Sequence, residues 1–143
     1  LFRAAVCAVP LLDMLRYHRF LIARLWVTEY GSAEGPEQYR WLQAYSPYHH
    51  VRDGVRYPAV LFTTAESDGR VEPLHARKLT ALLQAKQAAP AERPVLLRVE
   101  TLAGHGQGKP ITKVIAEQTA TWCFICSQLE VPVSSDRARL AQA

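Results

Sequence analysis

The sequence has 143 residues, 49% of them apolar, which suits one globular domain. Lys and Arg total 17 against 13 acids, a formal +4, but the excess is scattered over Arg16, Arg19 and Arg24, then Arg77 and Lys78, then Arg137 and Arg139. That dispersal argues against a nucleic-acid binder, which carries a basic stripe with interleaved aromatics, and no run approaches the ~18 apolar residues of a membrane helix.

Residues 2–9 are apolar and β-competent up to Pro10, and read as a buried strand. An early Arg and small residues give this start some signal-peptide character. It lacks a longer apolar stretch before a cleavage site, and Asp13 and Arg16 follow at once, so it is not read as a targeting segment. Residues 11–30 mix apolar and basic side chains without a strong period, as in a helix or loop with one packed face. A glycine-containing loop over 31–36 leads to Pro36, well suited to the first turn of a short helix over 37–42. Residues 46–56 form a loop holding His49, His50, Asp53 and Gly54. Adjacent histidines cannot share a helical face as i and i+4 metal ligands do, so they belong to a surface loop.

Residues 57–64 are a continuous apolar strand, as expected when both sheet faces are covered. Pro73 begins a helix to about Gln87, with Leu74, Leu79, Leu82 and Leu83 as its stripe, ended by Ala88-Ala89-Pro90. Residues 94–100 are another buried strand, and Pro110 opens a last helix to about Leu129. A polar tail over 134–143 is expected to fray. Three cysteines do not make a disulfide framework. Cys123 and Cys126 form C-x-x-C inside an apolar helix, with no second ligand pair for zinc and no strand before it for a redox motif. They are expected to be two core cysteines one helical turn apart.

The order is strand, helix, strand, helix, strand, helix, which predicts an α/β fold with a parallel sheet and right-handed crossovers. Three strands make a thin sheet for so much apolar sequence, and the strand at 2–9 would leave an unpaired edge. With no initiating Met, the expectation is the C-terminal part of a larger domain over residues 1–131, followed by a tail over 132–143.

Two residues carry chemistry. Asp68 sits just past the strand at 57–64, and His105 just past the strand at 94–100, 37 positions on. An acid and then a histidine at successive strand ends is the back half of an α/β-hydrolase triad, whose order is Ser, Asp or Glu, His. No G-x-S-x-G occurs in the chain, so the serine is missing. Alone, Asp68 could cap the helix at Pro73, His105 could be an exposed histidine in a glycine turn, and Trp26 could be simple core. The glycine-rich stretch at 104–109 lacks the G-x-x-x-x-G-K-[ST] of a phosphate loop.

Several stretches together resemble the prolyl oligopeptidases. They are Asp13-Met14-Leu15-Arg16-Tyr17-His18, Trp26-Val27-Thr28-Glu29-Tyr30-Gly31, Trp41-Leu42, Tyr45-Ser46-Pro47, Ser67-Asp68-Gly69-Arg70-Val71-Glu72-Pro73-Leu74-His75, and Ala103-Gly104-His105-Gly106-Gln107-Gly108-Lys109-Pro110. The similarity runs from about Leu1 to Val131 in the family's order and spacing.

The resemblance implies the C-terminal portion of an α/β-hydrolase peptidase domain that cleaves short peptides after proline. The rest of that domain, with nucleophile elbow and oxyanion-hole donors, and a β-propeller would lie upstream. Asp68 matches the triad acid that orients the histidine, and His105 the general base. Gly104 and Gly106 would let the histidine loop turn sharply. Arg70 matches an arginine that holds a substrate carbonyl, Trp26 the aromatic floor of the proline pocket, and Tyr30 and Val71 its other walls. Gly69 departs from the polar or acidic residue common in relatives.

The implied partners are a proline-containing peptide and the missing remainder of the domain and propeller, with no cofactor, metal, nucleic acid or membrane. Without a serine the chain alone is expected to be inactive. Two other readings stand beside this one. One is an oligopeptidase B-like enzyme cutting after basic residues, although no acidic cluster stands out. The other is a non-catalytic truncated interaction module. Cytoplasm and periplasm are not distinguished.

Overall fold

The strand at Ala59–Ala65 (β2) is buried along its whole length, because other elements cover both of its faces. It lies between Ala4–Ala8 (β1) and Val95–Glu100 (β3) in an all-parallel sheet of order β1-β2-β3. Val6 pairs with Leu61, and Leu61 with Leu96. The computed structural model describes residues 1–106 and 108–133. The residues from 134 onward, where the tail was expected, lie outside that range.

Successive side chains of a strand point to opposite faces, and β2 uses this to serve two cores. Val60 and Phe62 pack with Leu12, Ala76, Leu79, Leu83 and Val95 on one side. Ala59 and Leu61 pack with Phe124, Ala4 and Ile125 on the other. Burying an aliphatic or aromatic side chain of this kind contributes roughly 1.5–3 kcal/mol.

Among the described residues four α-helices follow in chain order: Val27–Tyr30 (α1), Pro36–Tyr45 (α2), Leu74–Lys86 (α3) and Ile111–Leu129 (α4). Pro36 occupies the first turn of α2, where its missing N–H costs nothing. The buried face of α3 is His75, Ala76, Leu79, Thr80 and Leu83. Leu74 and Leu82, expected in the stripe, are only half-buried, because the helix is rotated to put His75 inward.

In α4 only Phe124 is buried, while Ile111, Ile115, Trp122 and Leu129 are exposed. Cys123 is exposed and Cys126 half-buried, so the expected pair of core cysteines is corrected. The helix carries its apolar stripe of Ile111, Ile115, Trp122 and Leu129 outward, so its hydrophobic phase does not reveal which face packs. No helix among the described residues is long and apolar enough to cross a membrane.

Residues 11–46 form a second, smaller core around Met14, Tyr17, Ala23 and Leu42. Its first half is not α-helical but two 3-10 turns, Tyr17–Arg19 and Leu21–Trp26, separated by extended Phe20. Asp13 joins this core to the sheet layer. Its backbone N–H donates to Nδ1 of His75 at 3.1 Å, and its buried carboxylate pairs with Lys78. The neighbouring Met14 N–H donates to Ser46 Oγ at 3.0 Å. Among the described residues no strand pairs with the outer edge of β1.

Candidate active site

In parallel sheets, ligands gather at the carboxyl ends of the strands. Here backbone pairing continues past the ends of β2 and β3. Glu66 N–H donates to the Glu100 carbonyl at 2.9 Å, and Ser67 N–H to that of Ala103 at 3.2 Å. The loop after each strand is thereby held against the other, which brings Asp68 to His105.

The Asp68 side chain is fully buried. Its Oδ1 accepts the N–H groups of Arg70 at 2.8 Å and Val71 at 3.0 Å. His105 Nδ1 lies 2.8 Å from Oδ2 and 3.0 Å from Oδ1. Burial alone would push the Asp68 carboxyl up. The hydrogen bonds from His105, Arg70 and Val71 outweigh it and hold the acid below the usual carboxylate range. An ionised carboxylate can only accept, so His105 Nδ1 carries a proton and Nε2 is left as the proton acceptor.

Asp68 does not cap α3. Pro73 stands at that position without a side-chain cap, and Asp68 caps the turn of its own loop. In the histidine loop Gly106 takes φ +107° and Gly108 +72°, which only glycine adopts readily. Gly104 is not among the positive-φ residues, and its carbonyl accepts the Gly106 N–H at 2.8 Å, which closes the turn around His105.

His105 opens on a cavity of about 500 Å³, lined also by Trp26, Glu29, Tyr30, Arg70, Val71, Ala8, Val9 and Leu11. Five of the six sequence-predicted residues therefore share one cavity, with Asp68 directly behind His105. Trp26 and Tyr30 bracket α1, one helical turn apart. Their placement depends on Tyr17, whose buried hydroxyl donates to the Gly31 carbonyl at 2.5 Å and whose ring meets Tyr30 edge-on at 5.7 Å. Gly31 takes φ +89°, with Gln38 so close that a Cβ would crowd it.

Sequence reasoning missed Glu29, Ala8, Val9 and Leu11. Glu29 had a signal, three positions after Trp26 on one helical turn. Val9 had none: this β-branched residue is held at φ 48°, a strained conformation at the cavity rim.

A larger cavity of about 840 Å³ lies at the β3 side of the sheet, lined by residues such as Thr80, Gln84, Leu96 and Phe124, and none of the predicted residues reaches it. His49 and His50 stay apart from both, bonded to Ser46 Oγ and the Gln43 carbonyl, each at 2.8 Å. Among the described residues no group of three or more His, Cys, Asp or Glu could hold a metal ion.

Comparison with known proteins gives a consistent result. The model of the prolyl oligopeptidase family matches residues 1–131. A prolyl endopeptidase of Elizabethkingia miricola is 40% identical over 130 residues, 90% of this chain and 18% of that protein. Prolyl oligopeptidase A of Amanita bisporigera is 34% identical over 97% of this chain and 18% of its own length. A solved prolyl endopeptidase structure matches at TM-score 0.87 and 50% identity, covering 92% of this chain and 19% of its own. Prolyl oligopeptidase B of Galerina marginata, bound to a 35-residue substrate, matches at TM-score 0.84 and 33% identity, covering 93% and 18%. Structures of that protein carry single alanine substitutions of a serine, an aspartate and a histidine. The chain thus spans about a fifth of the length of the relatives it matches.

Proposed function

The chain belongs to the prolyl oligopeptidase family, and we propose that it supplies the acid–base half of a serine-peptidase site that cleaves short peptides after proline. Its parallel sheet with crossover helices is a portion of the α/β-hydrolase fold. The observation that carries the reading is the 2.8 Å contact from His105 Nδ1 to the buried Asp68 carboxylate, beside a cavity walled by an indole and a phenol.

In this reading His105 Nε2 takes the proton of a serine hydroxyl as it attacks the peptide carbonyl. It then returns that proton to the leaving amine. Asp68 fixes the imidazole tautomer and stabilises the imidazolium between the two steps, and positioned proton transfer of this kind is worth ~10²–10⁴ in rate. Trp26 and Tyr30 offer flat apolar faces to a pyrrolidine ring, Val71 closes one side, and the Arg70 guanidinium holds a substrate carbonyl.

The serine comes from sequence upstream of Leu1. The aspartate and histidine substituted in the Galerina marginata protein are 37 positions apart, as are Asp68 and His105. The serine substituted there lies further before its aspartate than the 67 residues that precede Asp68. Residues 1–131 are then the C-terminal part of a peptidase domain and inactive alone.

The test is to sequence the coding region before Leu1 and express the joined polypeptide. An in-frame G-x-S-x-G and cleavage of an N-blocked Gly-Pro anilide by the joined product, with none by the 143 residues alone, is the expected result. A start codon directly before Leu1, or a frameshift there, would sink the catalytic reading in favour of a non-catalytic module.

A further inference from the structure

Resting on that proline-peptidase reading, we propose that Glu29 is a specificity residue that selects a positively charged amine next to the cleaved proline. Glu29 is the third residue of α1, between the two aromatic walls Trp26 and Tyr30, and it lines the same cavity as Arg70 and His105. Among the described residues its carboxylate makes no hydrogen bond and no ion pair. Glu34, Glu92, Glu100 and Glu117 are paired, whereas Glu37, Glu66 and Glu72 are unpaired like Glu29, but of all these only Glu29 lines the cavity. The Arg70 guanidinium is likewise unpaired among the described residues, so the cavity presents one free anion and one free cation.

Glu29 is not explained as a helix-end charge, because a four-residue helix sums too few peptide dipoles to matter. Nor is it explained by packing, since it is exposed. Its consequence for a bound peptide is two-sided. A neutral chain seated over Glu29 removes water from the carboxylate and gives nothing back, whereas an ammonium group replaces that water with a counter-charge. Arg70 asks for a carbonyl, which every peptide has, so it does not discriminate. Glu29 asks for a cation, which only some peptides have. At about 500 Å³ the cavity has room beyond one pyrrolidine ring for such a group.

A lysine side chain and a free peptide α-amine share this chemistry, and two substrate pairs separate them. In the polypeptide that joins this chain to its nucleophile, kcat/KM is measured for N-blocked Lys-Pro against N-blocked norleucine-Pro anilides. The second pair is free Gly-Pro against N-acetyl-Gly-Pro anilide. One pair should favour the cation by about fivefold, the size of one partly exposed ion pair. That pair names the source of the amine. The ratio should fall to about one in Glu29→Gln, persist in Glu29→Asp, and shrink at about 1 M salt. Because each ratio is internal to one preparation, partial misfolding does not mimic the effect. Proline cleavage with both ratios at about one in the native enzyme, or unmoved by Glu29→Gln, overturns this inference alone. No cleavage after proline overturns it together with the parent reading.

Discussion

Two of the aspartate–histidine contacts among the described residues are built differently. At Asp68–His105 the two side chains meet directly, the acid is buried, the imidazole is about one-third exposed, and Nε2 makes no hydrogen bond among the described residues. At Asp13–His75 the imidazole is completely buried and Nδ1 is spent on accepting the Asp13 backbone N–H, while the Asp13 carboxylate turns to Lys78. Burial pushes His75 down to about 4, so it is neutral at physiological pH and acts as an internal acceptor. In the proposed reading the first is a proton-transfer pair and the second a structural tie, the difference lying in which atoms meet and whether one nitrogen keeps access to a ligand.

The sharpest way to separate the two is by what each loses. In the joined polypeptide, His105→Ala should lower kcat by roughly 10⁴-fold or more, with little change in the urea midpoint. A loss below tenfold would remove His105 from the chemistry. Lys78→Ala should act the other way, leaving the buried Asp13 carboxylate without its counter-charge. We expect about 3 kcal/mol of lost stability by urea denaturation, discounted because Lys78 is partly exposed and His49 Nε2 stands 3.9 Å from Asp13.

The pH dependence sharpens the contrast further. The His75 pKa is lower folded than unfolded, so its neutral form contributes stability that is complete above about pH 6.5 and lost as pH falls toward 4. The expected loss by pH 4 is roughly 2–3 kcal/mol, and it should be missing from the stability profile of His75→Gln. Asp68 is depressed as well, so its contribution is retained until lower pH, below about 3.9. The smallest effect is expected from Ser46→Ala, which leaves the Met14 N–H without its acceptor and should cost about 1–2 kcal/mol.

Much of this was legible in the sequence. Continuous apolar runs, with Pro10 and Pro90 as stops and Pro73 and Pro110 as helix starts, located the three strands and the two long helices, because strand burial and proline punctuation are local signals. Asp68 and His105 were legible for the same reason, each standing just past a strand. The Asp13–His75–Lys78 tie was not, because 62 positions separate Asp13 from His75 and neither sits in a pattern. Residues 17–26 gave no period because they alternate 3-10 turns with extended Phe20, and Leu21 takes φ 49°. The exposure of Cys123 was hidden because the apolar face of α4, with Ile115 and Trp122, points outward.

The open flank of β1 has a geometric consequence for assembly. Any segment that zips onto it in parallel runs with Ala4–Ala8 and finishes at the same rim as Val9, Ala65 and Glu100, where the cavity begins. Parallel pairing would deliver the C-terminal end of an incoming piece beside His105, and antiparallel pairing, which an open edge also accepts, its N-terminal end.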